Sequence, residues 1–379
     1  MRRCLAAFLL AAFCPVSSLA DPPQPIDGVR FAFPGAVPNP ASATSAALAL
    51  SDRWLGLEPF SNPAAPRRAI VAVTPMGQRV SRQDLRADNR DFSDAGGSFD
   101  LAGAWAGLPL GPVEIDAYFF QPELRAEDNS YTLGRLPQPG LAATVSTKST
   151  AREMRAGFGA STDLGRTRIG AALEWTKRSD DYSVDEESGS PNSGTQDVTF
   201  DGDGLGAQFG ARTTWSWGAH AVELGGAARF VPELSMTGHQ HFELISGTSD
   251  ADVSVTRASA WEGGLSLRAA TAETFHVDAG IGGAGAQEWS GFGVTAGRRF
   301  EWKLGGEFHD ARDPWTLRFG GGQEQQSGVP EPRAGVIALG LGWRLKSWSL
   351  DLGLTHRTLQ RPGEPNSYDD RLLLGISVP

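Results

Sequence analysis

The chain has 379 residues, with 34 Lys and Arg against 44 Asp and Glu, for a net charge of −10. That balance disfavours nucleic acid, whose phosphates demand a basic face. The only cysteines are Cys4 and Cys14, both within an N-terminal leader, so disulfides, zinc–thiolate sites and cysteine nucleophiles are excluded from the mature protein.

In chain order, the leader comes first. Arg2 and Arg3 give a positive end, Leu5 to Phe13 an uncharged apolar run, Pro15 a break, and Ser18 and Ala20 small residues for a signal peptidase. Cleavage is expected between Ala20 and Asp21. Nine apolar residues are too few for a spanning helix, which needs ~20. Acylation of Cys14 is disfavoured by Phe13, which stands where lipoprotein processing wants a small side chain.

Residues 21–68 are rich in Pro and Ala and alternate poorly. A short helix is expected around Ala41 to Trp54, between Pro40 and Pro59. Trp54, Leu55, Leu57 and Phe60 argue against full exposure, so the segment reads as a plug or hatch; a disordered tail is the alternative.

From residue 69 to 379 the pattern is two-residue alternation. Ile337, Leu339, Leu341, Trp343 and Leu345 share one face, against Ala338, Gly340, Gly342 and Arg344. Ile169, Ala171, Leu173 and Trp175 oppose Arg168, Gly170 and Glu174. Strands are expected near 69–75, 98–107, 112–121, 140–161, 167–177, 203–216, 219–232, 257–270, 274–284, 292–309, 314–323, 334–345, 348–358 and 369–378. The fourth and tenth are long enough to hide a break.

Joins alternate long and short from end to end. The short ones fall near 108–111, 162–166, 217–218, 271–273, 310–313 and 346–347. The long polar ones fall near 76–97, 122–139, 178–202, 233–256, 285–291, 324–333 and 359–368. Long external loops and short periplasmic turns are the rule in outer-membrane barrels. No later stretch approaches the ~18 apolar residues of a spanning helix, and only helices and closed barrels satisfy their backbone in lipid. The fold expected is therefore all-β: a transmembrane antiparallel β-barrel of about 14 strands, with an N-terminal plug segment. Trp105, Trp175, Trp215, Trp217, Trp343 and Trp348 cluster at strand ends, where an interfacial aromatic girdle would lie. A soluble sandwich would alternate too, but its strands need not have the ~9–11 residues of a tilted spanning strand.

Asn62-Pro63-Ala64, following Ala46-Ala47-Leu48-Ala49-Leu50-Ser51-Asp52, resembles the N-terminal region of the outer-membrane long-chain fatty acid transporter (FadL-type) superfamily, which includes PorV/PorQ-like barrels. Leu317-Arg318-Phe319-Gly320, Leu339-Gly340-Leu341-Gly342-Trp343 and Leu350-Asp351-Leu352-Gly353 are similar in style to its recurring C-terminal strands. The resemblance implies a fourteen-stranded barrel, with Asn62, Pro63 and Ala64 as the hatch motif, that carries a hydrophobic ligand such as a fatty acid. Two departures stand out: Ala65, where the family often has Gly, and Pro379, where outer-membrane barrels commonly end on an aromatic residue.

Other motifs carry less. Gly280-Ile281-Gly282-Gly283-Ala284-Gly285 matches a dinucleotide fingerprint but precedes no amphipathic helix, so it reads as small lumen-facing positions. His239 and His241 lack the partners of a metal site. The acidic stretch Asp180, Asp181, Asp185, Glu186, Glu187 reads as a solvated external loop. No cofactor, metal or catalytic set is expected. Expected partners are outer-membrane lipid, lipopolysaccharide, the barrel-assembly machinery and a hydrophobic ligand. A passive channel leads. A structural or secretion-accessory barrel and an outer-membrane hydrolase remain open.

Overall fold

A computed structural model describes residues 42–55, 58–65, 70–82, 92–133, 143–187, 194–244, 247–271, 274–291, 294–309, 314–327, 333–345, 347–360 and 366–378. The leader, its Ala20–Asp21 junction and residues 21–41 lie outside them.

All strands belong to one antiparallel sheet. In chain order they are β1 (Ile70–Arg82), β2 (Phe92–Leu110), β3 (Val113–Leu133), β4 (Ala143–Leu164), β5 (Thr167–Glu187), β6 (Gly194–Trp217), β7 (His220–Val231), β8 (Leu234–Leu244), β9 (Gly247–Arg257) and β10 (Ala260–Thr271). There follow β11 (Phe275–Ala284), β12 (Gln287–Ser290), β13 (Val294–Ala296), β14 (Arg299–His309), β15 (Trp315–Gln326), β16 (Arg333–Arg344), β17 (Ser349–Gln360) and β18 (Ser367–Val378). Fourteen are staves. The ring runs from β1 to β7, passes to β10 and β11, then to β14 and on to β18, and closes where Val71 meets Val378. The other four strands, β8, β9, β12 and β13, stand above the ring as hairpins.

The short joins gather on one rim. Gly111, Gly165 and Gly218 turn there with φ near +60°, a region other residues avoid. The opposite rim differs from the sequence expectation. Residues 178–187 and 194–202 are not loop but the upper halves of β5 and β6, paired from Arg178↔Gly202 to Glu186↔Gly194. Residues 234–244 and 247–257 form the paired strands β8 and β9, the first of which pairs with upper β6. Parts of 76–97 and 122–139 extend β1, β2 and β3. Of the two long strands, the fourth is unbroken, whereas 292–309 splits into β13 and β14. The misreading has a physical cause: above the bilayer the outward positions meet water and turn polar, so the ladder continues while the outward apolar alternation stops.

The outer face shows where that change occurs. On β6 the outward residues are Asp197, Thr199, Asp201 and Asp203, then Leu205, Ala207, Phe209, Ala211, Thr213 and Trp215. On β5, Lys177 sits opposite Asp203 and Trp175 opposite Leu205, so the boundary is level across the two strands. Leu205 is 76 % exposed and Leu173 72 %. Ten residue steps of apolar wall on β6, at a barrel tilt of ~45°, make a band roughly 24 Å tall, close to the ~25 Å of outer-membrane barrels. So wide an exposed apolar belt is a lipid-facing surface.

Candidate functional site

The first feature is what fills the lower lumen. Helix α1 (Ala43–Ala47) starts at Ser42, whose Oγ accepts from the Ser45 amide at 3.1 Å, an N-cap. It ends in a sharp reversal with Ala49 and Leu50 at φ 53° and 64°. Two successive left-handed non-glycine residues cost about 1 kcal/mol each or more, and the surrounding wall over-determines them. A 3-10 turn, Arg53–Leu55, follows. Leu48, Trp54 and Leu55 are fully buried.

This segment sits against inward-facing glycines of the staves. A Cβ at Gly264 or Gly282 would come within 2.7 Å of the Trp54 indole nitrogen, and one at Gly320 would strike the Leu48 carbonyl. The Trp54 amide donates to Ser266 Oγ at 3.2 Å. Asn62 locks the following turn: its Nδ2 donates to the Trp54 carbonyl at 2.7 Å and to the wall carbonyls of Gly226 and Ala211. Its Oδ1 accepts from the Ala64 amide at 2.8 Å. In the same segment Asp52 is fully buried near Glu58, and Ser45 Oγ reaches both carboxylates. Burial and the Glu58 charge push Asp52 up to about 8.

Around this segment the lumen is lined with charge rather than hydrocarbon. Glu262 receives Arg229 at 2.6 Å, Arg155 at 3.1 Å, Arg299 at 3.2 Å and Arg53, from this N-terminal segment, at 3.5 Å. Glu153 joins Arg155, Arg178 and Arg257, and Arg178 also holds Asp180 and Glu123 at 2.7 Å. Charges this deep persist only when each is compensated by its neighbours. An apolar molecule gains nothing by entering such a layer.

The second feature is an open seam between β2 and β3. Gly103 partners Phe120 and Asp94 partners Asn129, but over 95–102 and 121–128 the two strands do not pair. Each remains joined to its other neighbour, Ala95–Leu101 to β1 and Glu123–Asp128 to β4. Eight residues of unpaired ladder correspond to roughly 27 Å of strand. The causes lie in the sequence. Pro122 has no N–H to give, and register shifts occur at Thr74/Pro75 in β1 and at Phe120/Glu123 in β3. The lower edge is sealed by Gln121, which donates to the Leu101 carbonyl at 2.7 Å and to Asp100 at 3.0 Å, while Arg152 bonds both Gln121 and Asp100. Outside, Phe99 is 81 % exposed beside the seam.

Just inside the foot of the seam is an aromatic cluster of Phe60, Trp105, Tyr118 and Phe120. Phe60 stacks on Phe120 at 5.4 Å, and the Tyr118 hydroxyl donates to Glu174 at 2.8 Å. The Arg229 guanidinium lies 5.2 Å over the Phe120 ring. Above the charged layer, the inward faces of β5, β6, β8, β9 and β12 are largely apolar. Tyr182, Val198, Phe200, Leu234, Met236, Phe242, Val255 and Trp289 are all buried there. The order from top to bottom is thus a buried apolar layer, an aromatic cluster beside the side seam, and a filled polar lumen.

The residues expected to matter fall in different places. Asn62, Pro63 and Ala64 lie inside the ring, with Pro63 against Gly170 and Asn62 against Gly210. Trp175, Trp215, Trp217, Trp343 and Trp348 face outward. Trp105 does not: it faces the lumen and packs on Phe60, because odd-numbered residues of β2 point inward at that height. It is removed from the girdle. Gly280 and Gly282 of the glycine-rich stretch line the lumen against Ser51 and Trp54. His239 and His241 sit on the outer face of β8, both reaching Asp250 on β9, a partner that spacing along the chain did not reveal. That hydrogen bond raises the His241 pKa. Among the described residues no group of three His, Cys, Asp or Glu could hold a metal. None of the histidine hydrogen bonds found there involves a serine. The seam and the aromatic cluster were missed. The Gln121–Pro122 pair, a polar residue and a proline inside an otherwise regular strand, was the available signal.

No family model matches the chain, and no curated protein does. Solved structures do. A Pseudomonas aeruginosa FadL homologue superposes with a TM-score of 0.65 at 12 % identity, over 90 % of this chain and 99 % of that one. The Ralstonia pickettii toluene transporter TbuX gives 0.61 at 13 % identity, over 89 % and 97 %. The Pseudomonas putida toluene transporter TodX gives the same four values. At such identities the likeness establishes the fold, and the chain has the fold of the FadL-type outer-membrane barrels.

Proposed function

We propose that this protein is a passive outer-membrane channel that takes up small hydrophobic molecules and releases them sideways into the membrane. The observation that carries the reading is the unpaired β2–β3 seam, with Phe60, Trp105, Tyr118 and Phe120 at its inner mouth. An apolar ligand entering from the outer rim finds stacking partners at the seam and, below, only a compensated charge layer and the N-terminal segment. Leaving through the wall keeps it out of water and off the ion pairs. Transfer is then downhill by the hydrophobic effect, at roughly 0.8 kcal/mol per buried methylene, and needs no energy input. The toluene transporters of the same fold support an apolar, small cargo.

The test is transfer into vesicles whose outer leaflet is lipopolysaccharide. Adding the protein is expected to speed the entry of labelled toluene or a labelled fatty acid several-fold, with no gain for a sugar of similar size. Equal rates with and without protein would refute the proposal.

A further inference from the structure

In the upper apolar layer, two buried glutamines stand apart from their surroundings. Gln196 on β6 is 3 % exposed and Gln240 on β8 is 0 % exposed. In neither side chain does the amide nitrogen or the amide oxygen have a hydrogen-bond partner among the described residues. The two belong to one site: Val198 partners Gln240 and Gln196 partners Phe242, so the glutamines are diagonal neighbours on the same inward face of the β6–β8 ladder. Around them are Val198, Phe242, Tyr182 and Phe200, all buried.

A buried amide without a partner is costly, and two side by side are rarer still in a folded protein. The formal charges below them, Arg178, Asp180, Glu153 and Arg257, are paired with one another, Arg257 through Nη1 alone, and lie outside the glutamines' row. We infer that Gln196 and Gln240 form a head-group site, one that selects an apolar cargo carrying a single uncharged hydrogen-bonding group, such as a phenol or an alcohol. The inference rests on the channel reading above and narrows it.

The chemistry sorts the alternatives. An amide pair offers both donors and acceptors, matching a hydroxyl, which is also both. An ionised head would be stripped of water in an apolar layer with no counter-ion in its row. A pure hydrocarbon would leave all four amide atoms unsatisfied. Sites built to hydrogen-bond a hydroxyl discriminate strongly against the analogue that lacks it.

The experiment compares 4-octylphenol with octylbenzene, which share a ring and a chain and differ in one hydroxyl. Binding of each to the purified full chain is measured by titration calorimetry. The phenol is expected to bind about tenfold tighter, the scale of one or two net hydrogen bonds. In the Gln196→Leu, Gln240→Leu double variant the ratio is expected to fall to about one, with octylbenzene affinity kept. Retention of heat-modifiable gel mobility marks a folded barrel. A ratio near one in the unaltered protein overturns the head-group site without needing any variant, and so does a ratio unchanged by the substitutions. In both cases octylbenzene binding leaves the channel reading standing. Binding of neither molecule removes both.

Discussion

Asn62 Oδ1 occupies the space that a side chain on Gly210 would need: a Cβ at Gly210 would stand 1.9 Å from it. The plug segment and the wall are therefore fitted to each other at the level of single atoms. Asn62 spends its whole amide on that fit, bonding the plug at Trp54 and Ala64 and the wall at Gly226 and Ala211.

Gly210→Val is accordingly expected to unseat the segment while leaving the ring intact. Overpacking of this kind costs about 1–3 kcal/mol. Planar-bilayer recordings should show ion conductance well above the unaltered protein, with heat-modifiable gel mobility preserved. A variant that stays closed would mean that the segment does not hold the pore shut.

Glu262 binds four arginines, including Arg53 from the plug segment. Glu262→Gln removes the charge that all four share, leaving Arg229, Arg155 and Arg53 with only Glu174, Glu153 and Glu301 respectively. Breaking a buried ion pair from one side costs about 3–5 kcal/mol. The temperature at which the barrel loses its compact gel mobility should drop markedly. Glu223→Gln, which frees only Arg212 near the short-turn rim, should lower it far less.

The seating of the plug should weaken as pH rises. Asp52 holds its proton up to about 8, against an ordinary 3.8. A raised folded-state value means that the native form binds more protons between those limits, so stability falls across that window and is flat above it. Conductance at pH 8.5 should therefore exceed that at pH 5, and Asp52→Asn should erase the difference. The opposite slope, or a slope that survives in Asp52→Asn, would contradict this reading of the buried carboxyl.

Much of the barrel was legible in the sequence because lipid imposes a rule on every second residue. Where the wall crosses the bilayer, as in Ile169 to Trp175 or Ile337 to Trp343, apolar residues must face out, and the pattern is unmistakable. Above Lys177 and Asp203 the rule lapses, and strands that continue for many residues look like loops. Trp105 was misplaced for a related reason: an aromatic residue at a strand end fits a girdle and a lumen cluster equally well until the direction of its face is known. The seat of the plug was written in single lumen-facing glycines, Gly210, Gly264, Gly282 and Gly320 among them. A missing side chain signals nothing until its neighbour from a distant segment is in view. The seam depends on a ladder that fails to form, and Pro122 was its one local sign.

The central claim is that cargo leaves through the wall between β2 and β3, and bridging that seam tests it most directly. The expected mature chain has no cysteine, so Ser98→Cys with Arg125→Cys, positions opposite each other in the register flanking the seam, can be joined by a bis-thiosulfonate linker. Transfer of labelled toluene into lipopolysaccharide-faced vesicles should fall to the protein-free rate when the link forms and recover on reduction. Transfer that continues undiminished through a linked wall would contradict the claim.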